Sequence, residues 1–268
     1  MIKLIALDMD GTLLNSKRQI SEGTKHAIQR AKQQGINVVL ASGRPIDGMR
    51  AQLKELELVS DNDYVLHFNG SVVQKVASGE VIHQAILTGK DAKRIAQVAA
   101  QLGVNTHAFS QQLGLITPKT SRYTEVEAEI NGIDITEVDF STLEDDHPIV
   151  KCMIIDAPEK LTQAIAALPS ELYEDYTIVQ SAAYFLEFLN PSSNKGLGVA
   201  KIAEHLGLTA ENVMCVGDAE NDHHMLRYAG VGVAMANAME ETKQIADFIT
   251  RSNDEDGVAY AIEKFALS

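Results

Sequence analysis

Tryptophan is absent from the 268 residues, and aromatic residues of all kinds make up only 5%. A chain so poor in rings lacks the stacking platforms used to read single strands and sugar polymers, and its core has to be aliphatic. Cysteine is limited to Cys152 and Cys215. Two thiols cannot build a disulfide framework, so both read as buried small hydrophobes in the reducing cytoplasmic compartment. Cations are scarce too: 23 Lys and Arg stand against 37 Asp and Glu, a net charge of −14 with a pI near 5.0. A nucleic-acid platform or a basic membrane anchor needs the opposite balance, and both are excluded as partners. Long apolar runs are missing as well. The segment Ile2-Lys3-Leu4-Ile5-Ala6-Leu7 is broken by its lysine and stops at Asp8, too short for a secretory signal or a membrane span.

What is present is a core-forming share of 45% hydrophobic residues, in a length suited to one large domain or two modest ones. Ile2 to Leu7 reads as a buried strand running into an acidic loop. A helix follows, capped by Ser21, faced by Ala27, Ile28 and Ala31 and stopped by Gly35. Asn37 to Ala41 reads as a second strand, and Pro45 is expected in the first turn of a helix that ends near Leu58. Tyr64 to Phe68 reads as a third strand, with Asn69-Gly70 as a tight hairpin turn into Val72-Val73. Between Gln84 and Leu189 the pattern changes. Helices are expected at Asp91–Leu102, Ser121–Ile130 and Pro158–Leu168, and strands at Val104–Ala108, Gly114–Thr117, Val150–Ile155, Thr177–Gln180 and Tyr184–Leu189. From Lys195 strict alternation of helix and strand resumes, to a last helix from Asp256. The expected architecture is α/β: a doubly wound, Rossmann-like parallel sheet from residues 1–83 and 190–268, interrupted by a smaller inserted α/β domain, 84–189.

Four loops at strand ends carry chemistry. Asp8-Met9-Asp10-Gly11-Thr12 follows the first strand, where ligands bind in an open parallel sheet. Two carboxylates so spaced can share a hard cation while one attacks and the other moves a proton, and Gly11 permits the tight turn. Gly217-Asp218-Ala219-Glu220-Asn221-Asp222 follows the strand Val213–Val216; its acids can complete an oxygen site for Mg²⁺, cap the next helix, or do both. Ser42-Gly43 offers a hydroxyl and main-chain amides, and Lys195 an ammonium, to an anion.

These loops, in this order, resemble the motifs of the haloacid dehalogenase-like hydrolases, in particular their Cof-type sugar phosphatases with an inserted α/β cap. The matching strings are Asp8-Met9-Asp10-Gly11-Thr12-Leu13-Leu14, Ala41-Ser42-Gly43-Arg44-Pro45, Asn194-Lys195-Gly196 and Gly217 to Asp222, with Ala229 to Met235 and Asn237-Ala238 as typical flanks. The resemblance implies a Mg²⁺-dependent phosphatase acting on small phosphorylated metabolites, sugar phosphates foremost. Asp8 would be the nucleophile and Asp10 the acid and base. Asp8, the Asp10 main-chain carbonyl and Asp218 would hold the metal, with Asp222 binding it directly or through water. Met9, Ser42, Gly43, Lys195 and Asn221 would grip phosphate. Ser42 stands where many relatives carry threonine, which keeps the hydroxyl.

A phosphomutase carries the same motifs, so they do not separate hydrolysis from phosphoryl return to substrate. A retired metabolite-binding module would be expected to have lost a catalytic residue. Two histidines, His223 and His224, depart from the family pattern; they read as a solvated helix face or as an extra metal or acid–base site. The charge is uneven, because residues 84–189 hold 7 Lys and Arg against 16 Asp and Glu. A local anion site on an otherwise repelling surface favours small substrates with few phosphates.

Overall fold

The computed structural model describes residues 1–267. In chain order, the first part of the chain forms β1 (Leu4–Leu7), α1 (Glu22–Gln33), β2 (Asn37–Ala41), α2 (Arg50–Glu55), β3 (Tyr64–His67), β4 (Val72–Lys75) and β5 (Val81–Gln84). The middle forms β6 (Leu87–Thr88), α3 (Gly89–Gln101), β7 (Asn105–Ser110), β8 (Gly114–Thr117), α4 (Arg122–Asn131) and β9 (Ile135–Glu137). It continues with β10 (Pro148–Ile155), α5 (Pro158–Ala166), α6 (Leu172–Asp175), β11 (Thr177–Ala182) and β12 (Phe185–Leu189). The last part forms α7 (Lys195–His205), β13 (Val213–Gly217), α8 (His223–Tyr228), β14 (Val231–Ala234), α9 (Glu240–Ile245), β15 (Phe248–Ile249) and α10 (Gly257–Phe265). The chain divides into two compact units, residues 1–84 with 194–268, and residues 85–193.

The first unit is built on one sheet, ordered β15-β14-β13-β1-β2-β3-β4-β5. From β15 to β3 every pairing is parallel, and the β3–β4 and β4–β5 pairings are antiparallel. Strands buried on both faces must be apolar throughout, and β1 is buried at all four positions. Its residues alternate: Ile5 and Leu7 join Leu40, Met214 and Val216 in one core with α1 and α10, while Leu4 and Ala6 join Val39, Cys215 and residues of α7 and α8 in the other. Serine 21 caps α1 as expected, its Oγ accepting from the Thr24 N–H at 3.1 Å. The expectation for Pro45 fails. It lies outside the helix with ψ 158°, a 3₁₀ turn follows at Ile46–Met49, and regular helix starts only at Arg50.

The second unit has a sheet ordered β11-β12-β10-β7-β8-β9, with β6 also paired to β10. One face packs Ala108, Ile116, Cys152, Ile154, Leu186 and Phe188 against Ala92, Ile95 and Ala99 of α3 and Leu161 and Ala164 of α5. The other face is polar yet buried. Lys151 lies 3.1 Å from Glu187 and 3.8 Å from Glu127, with its ammonium 5.0 Å from the centre of the Phe109 ring. Beside them His107 is fully buried, and burial, followed by the Lys151 charge, holds its pKa down at about 3. A histidine kept neutral in the fold but free to charge when unfolded stabilises fully above its ordinary pKa near 6.5, and that contribution is lost as pH falls toward 3. Between pH 7 and pH 5 the expected loss is about 2 kcal/mol. Denaturant unfolding of a His107→Leu protein at both pH values is expected to lack that share of the acid sensitivity; an unchanged pH dependence would contradict it.

Candidate active site

Leu7 sits opposite Leu40 on one side and Val216 on the other. The loops after β1, β2 and β13 therefore leave the sheet side by side, at the carboxyl ends of three neighbouring strands. The chain order runs outward from β1 in both directions, so this is also the sheet's switch point, where open α/β sheets bind ligands. The Asp8 N–H still donates to the Val216 carbonyl at 3.0 Å, after which the chain turns back, with the Leu13 N–H on the Asp8 carbonyl and the Leu14 N–H on that of Met9. Met9 anchors the loop with a buried side chain. Gly11 makes the turn at φ 84°, and a Cβ there would collide with the Asp218 carboxylate. Asn237 holds the same loop from the far side, its Nδ2 donating to the Gly11 carbonyl at 2.8 Å.

Among the described residues, Asp8, Asp218 and Asp222 each bring a carboxylate oxygen within 4.8 Å of the others. Lys195 stands inside this group with 0% of its surface exposed, and its Nζ lies 2.6 Å from both Asp8 Oδ1 and Asp222 Oδ1. The second oxygen of Asp222 accepts from the N–H groups of Asp218 (2.9 Å) and Ala219 (3.1 Å). Asp218 Oδ1 accepts from the Thr12 hydroxyl at 3.0 Å. Burial, and next the Asp222 charge, push the Asp8 carboxyl well above the usual range, against the pull of Lys195. Burial and then Asp222 raise Asp218 as well. Burial works against the Lys195 charge, but Asp222 and Asp8 outweigh it and hold the ammonium above its ordinary pKa. Three carboxylates with one ammonium leave two uncompensated negative charges in a largely buried setting. A small divalent cation with a taste for oxygen ligands corrects that imbalance, so the donor set fits Mg²⁺.

Asp10 lies apart from this group. Its side chain is 57% exposed and turned onto Arg44, whose Nε and Nη2 donate to the two carboxylate oxygens at 2.9 and 2.5 Å. Such a paired fork fixes orientation as well as charge. Ser42 is buried, its Oγ accepting from the Arg44 N–H at 3.2 Å. Gly43 follows it in the loop after β2, and Asn221 is exposed, donating from Nδ2 to Asn69 Oδ1 at 3.1 Å. His223 shares a 2.8 Å hydrogen bond with Thr242, and His224 is exposed. Both therefore belong to the helix surface and its packing rather than to the carboxylate group. Asn69 and Asn237 were legible only as parts of a turn and a flanking string, yet both tie site loops together.

The family model for haloacid dehalogenase-like hydrolases matches residues 5–262. The YxeH protein of Bacillus subtilis is 39% identical over 270 residues, covering 100% of both chains. YcsE of the same organism, a 5-amino-6-(5-phospho-D-ribitylamino)uracil phosphatase, is 32% identical over 266 residues, covering 99% of this chain and 96% of its own. A solved haloacid dehalogenase-like hydrolase from Bacteroides thetaiotaomicron superposes with a TM-score of 0.87 at 35% identity, over 98% of this chain and 99% of that one. With its parallel sheet, its strand-end carboxylates and this likeness along the whole length, the chain belongs to the haloacid dehalogenase-like hydrolase family.

Proposed function

We propose that the protein is a Mg²⁺-dependent phosphatase that hydrolyses small phosphorylated metabolites, sugar and polyol phosphates foremost, through an aspartyl-phosphate. The observation that carries this reading is the convergence of Asp8, Asp218 and Asp222 around Lys195 at the sheet's switch point. In the first step an Asp8 oxygen attacks phosphorus, the bond from phosphorus to the ester oxygen breaks, and Asp10 delivers a proton to the departing alkoxide. In the second step Asp10 takes a proton from water, whose oxygen attacks phosphorus and frees the Asp8 carboxylate. Lys195, Asn221, the Ser42 hydroxyl and the amides of Met9 and Gly43 supply the donors for phosphate oxygens. Asp8, Asp218 and the Asp10 carbonyl, with Asp222 directly or through water, would hold Mg²⁺, which would lower the repulsion between carboxylate and phosphate and offset charge on the group in transfer.

Both Asp10 oxygens are engaged by Arg44, so proton delivery includes releasing that pair. The polyol preference is supported by YcsE, whose named substrate carries its phosphate on a ribityl chain. The test is a panel of phosphorylated sugars and polyols with Mg²⁺. Free phosphate is expected in step with substrate loss; an isomerised sugar phosphate, formed only with a bisphosphate activator, would contradict hydrolysis.

A further inference from the structure

The strand β3 ends at His67, and the next three residues, Phe68, Asn69 and Gly70, all have left-handed backbones, with φ of 50°, 56° and 93°. Asparagine and glycine tolerate that region, but a bulky phenylalanine is disfavoured there. Such a run persists only where its surroundings over-determine it. Here they do. The Phe68 N–H donates to the Arg44 carbonyl at 3.1 Å, the Asn69 N–H to the Ser42 carbonyl at 2.9 Å, and the Ser42 N–H back to Leu66 at 3.0 Å. The Phe68 carbonyl accepts from both the N–H and the hydroxyl of Ser71, at 3.1 and 2.8 Å.

The side chain of Asn69 then spans two site loops. Its Oδ1 accepts from Asn221 Nδ2 at 3.1 Å, while its Nδ2 lies 3.1 Å from the point where a Cβ on Gly43 would stand. A Cβ on Gly70 would collide with the carbonyl of Asn194, next to Lys195. A turn alone would be served by glycine at position 69. Asparagine adds an amide that accepts a hydrogen bond from the loop after β13 and packs beside Gly43 in the loop after β2.

We propose that Asn69 is a positioning residue for the phosphate site, setting the Asn221 amide and the Ser42-Gly43 main chain in register with each other. This rests on the phosphatase reading above. Asn69→Gly keeps the left-handed backbone and removes the amide. Its thermal midpoint is expected to stay near that of the unmodified protein. Its kcat/KM for Mg²⁺-dependent hydrolysis of p-nitrophenyl phosphate is expected to fall about tenfold, the scale of one lost hydrogen bond. Asn221→Ala is expected to cost at least as much, and adding Asn69→Gly to it less than about twofold more, because the two act as one unit. Asn69→Asp keeps the oxygen that accepts from Asn221, so Asn221→Ala should still lower its kcat/KM by the factor seen without it. Full activity in Asn69→Gly or in Asn221→Ala, losses that multiply in the double variant, or an Asn69→Asp protein indifferent to Asn221→Ala would overturn the proposal. An unmodified protein that releases no phosphate from the ester removes the phosphatase reading and this role with it, whereas an active one with an equally active Asn69→Gly removes this role alone.

Discussion

Asn in place of Asp8 is expected to reduce Mg²⁺-dependent phosphate release to background, a loss on the order of 10⁴-fold or more, as for other enzymes stripped of their nucleophile. The amide has nearly the same shape but no anionic oxygen to attack phosphorus, and it is a poorer ligand for a divalent ion. Folding should not suffer. Burial, and then Asp222, raise the pKa of the Asp8 carboxyl in the folded protein, so ionising it at neutral pH opposes folding, and a neutral isostere removes that penalty. Lys195 keeps its 2.6 Å contact with Asp222. An inactive Asp8→Asn protein with a thermal midpoint equal to or above that of the unmodified chain is the expected pair of results. Retained turnover would contradict the assigned role.

The opposite effect on stability is expected at Lys195. Methionine there has similar length and no charge, and it strips the ammonium from between two carboxylates that are themselves buried. Breaking a buried pair by removing one partner destabilises by about 3–5 kcal/mol, because the remaining charge is left without compensation. Mg²⁺ is expected to restore more stability to Lys195→Met than to the unmodified protein, since the ion meets a site richer in uncompensated negative charge. Denaturant titrations with and without Mg²⁺ read both quantities. Equal stability of the two proteins without metal would show that Lys195 does not hold the carboxylates together.

The chemistry-bearing loops were legible because each follows a short apolar strand. An acid, a serine or a lysine directly after four or five buried residues is conspicuous, and strand β2 at Asn37–Ala41 and helix cap Ser21 follow the sequence to the residue. Departures cluster where tertiary bonds override local preference. Phe68 reads as the last residue of a strand because it is apolar, yet its N–H is drawn to Arg44 and its backbone turns left-handed. The same tether holds the Ser42 to Arg44 loop extended through Pro45, which delays the helix that proline would otherwise open. Lysine is rarely buried without partners. The full burial of Lys195 follows from Asp8 and Asp222, 187 and 27 residues away in the chain, and no local window contains that information. Nor could spacing tell that Asp10, two residues from Asp8, turns outward onto Arg44.

The covalent step is the centre of the proposed chemistry, and trapping it is the most direct test. Beryllofluoride with Mg²⁺ is expected to form a one-to-one adduct on Asp8, read by fluorine resonance and lost in Asp8→Asn. Rapid acid quench during turnover of a phosphate ester is expected to place the phosphoryl group on the peptide that contains Asp8. A steady rate of phosphate release with no phosphoryl group on that peptide, and no adduct on Asp8, would contradict the aspartyl-phosphate route.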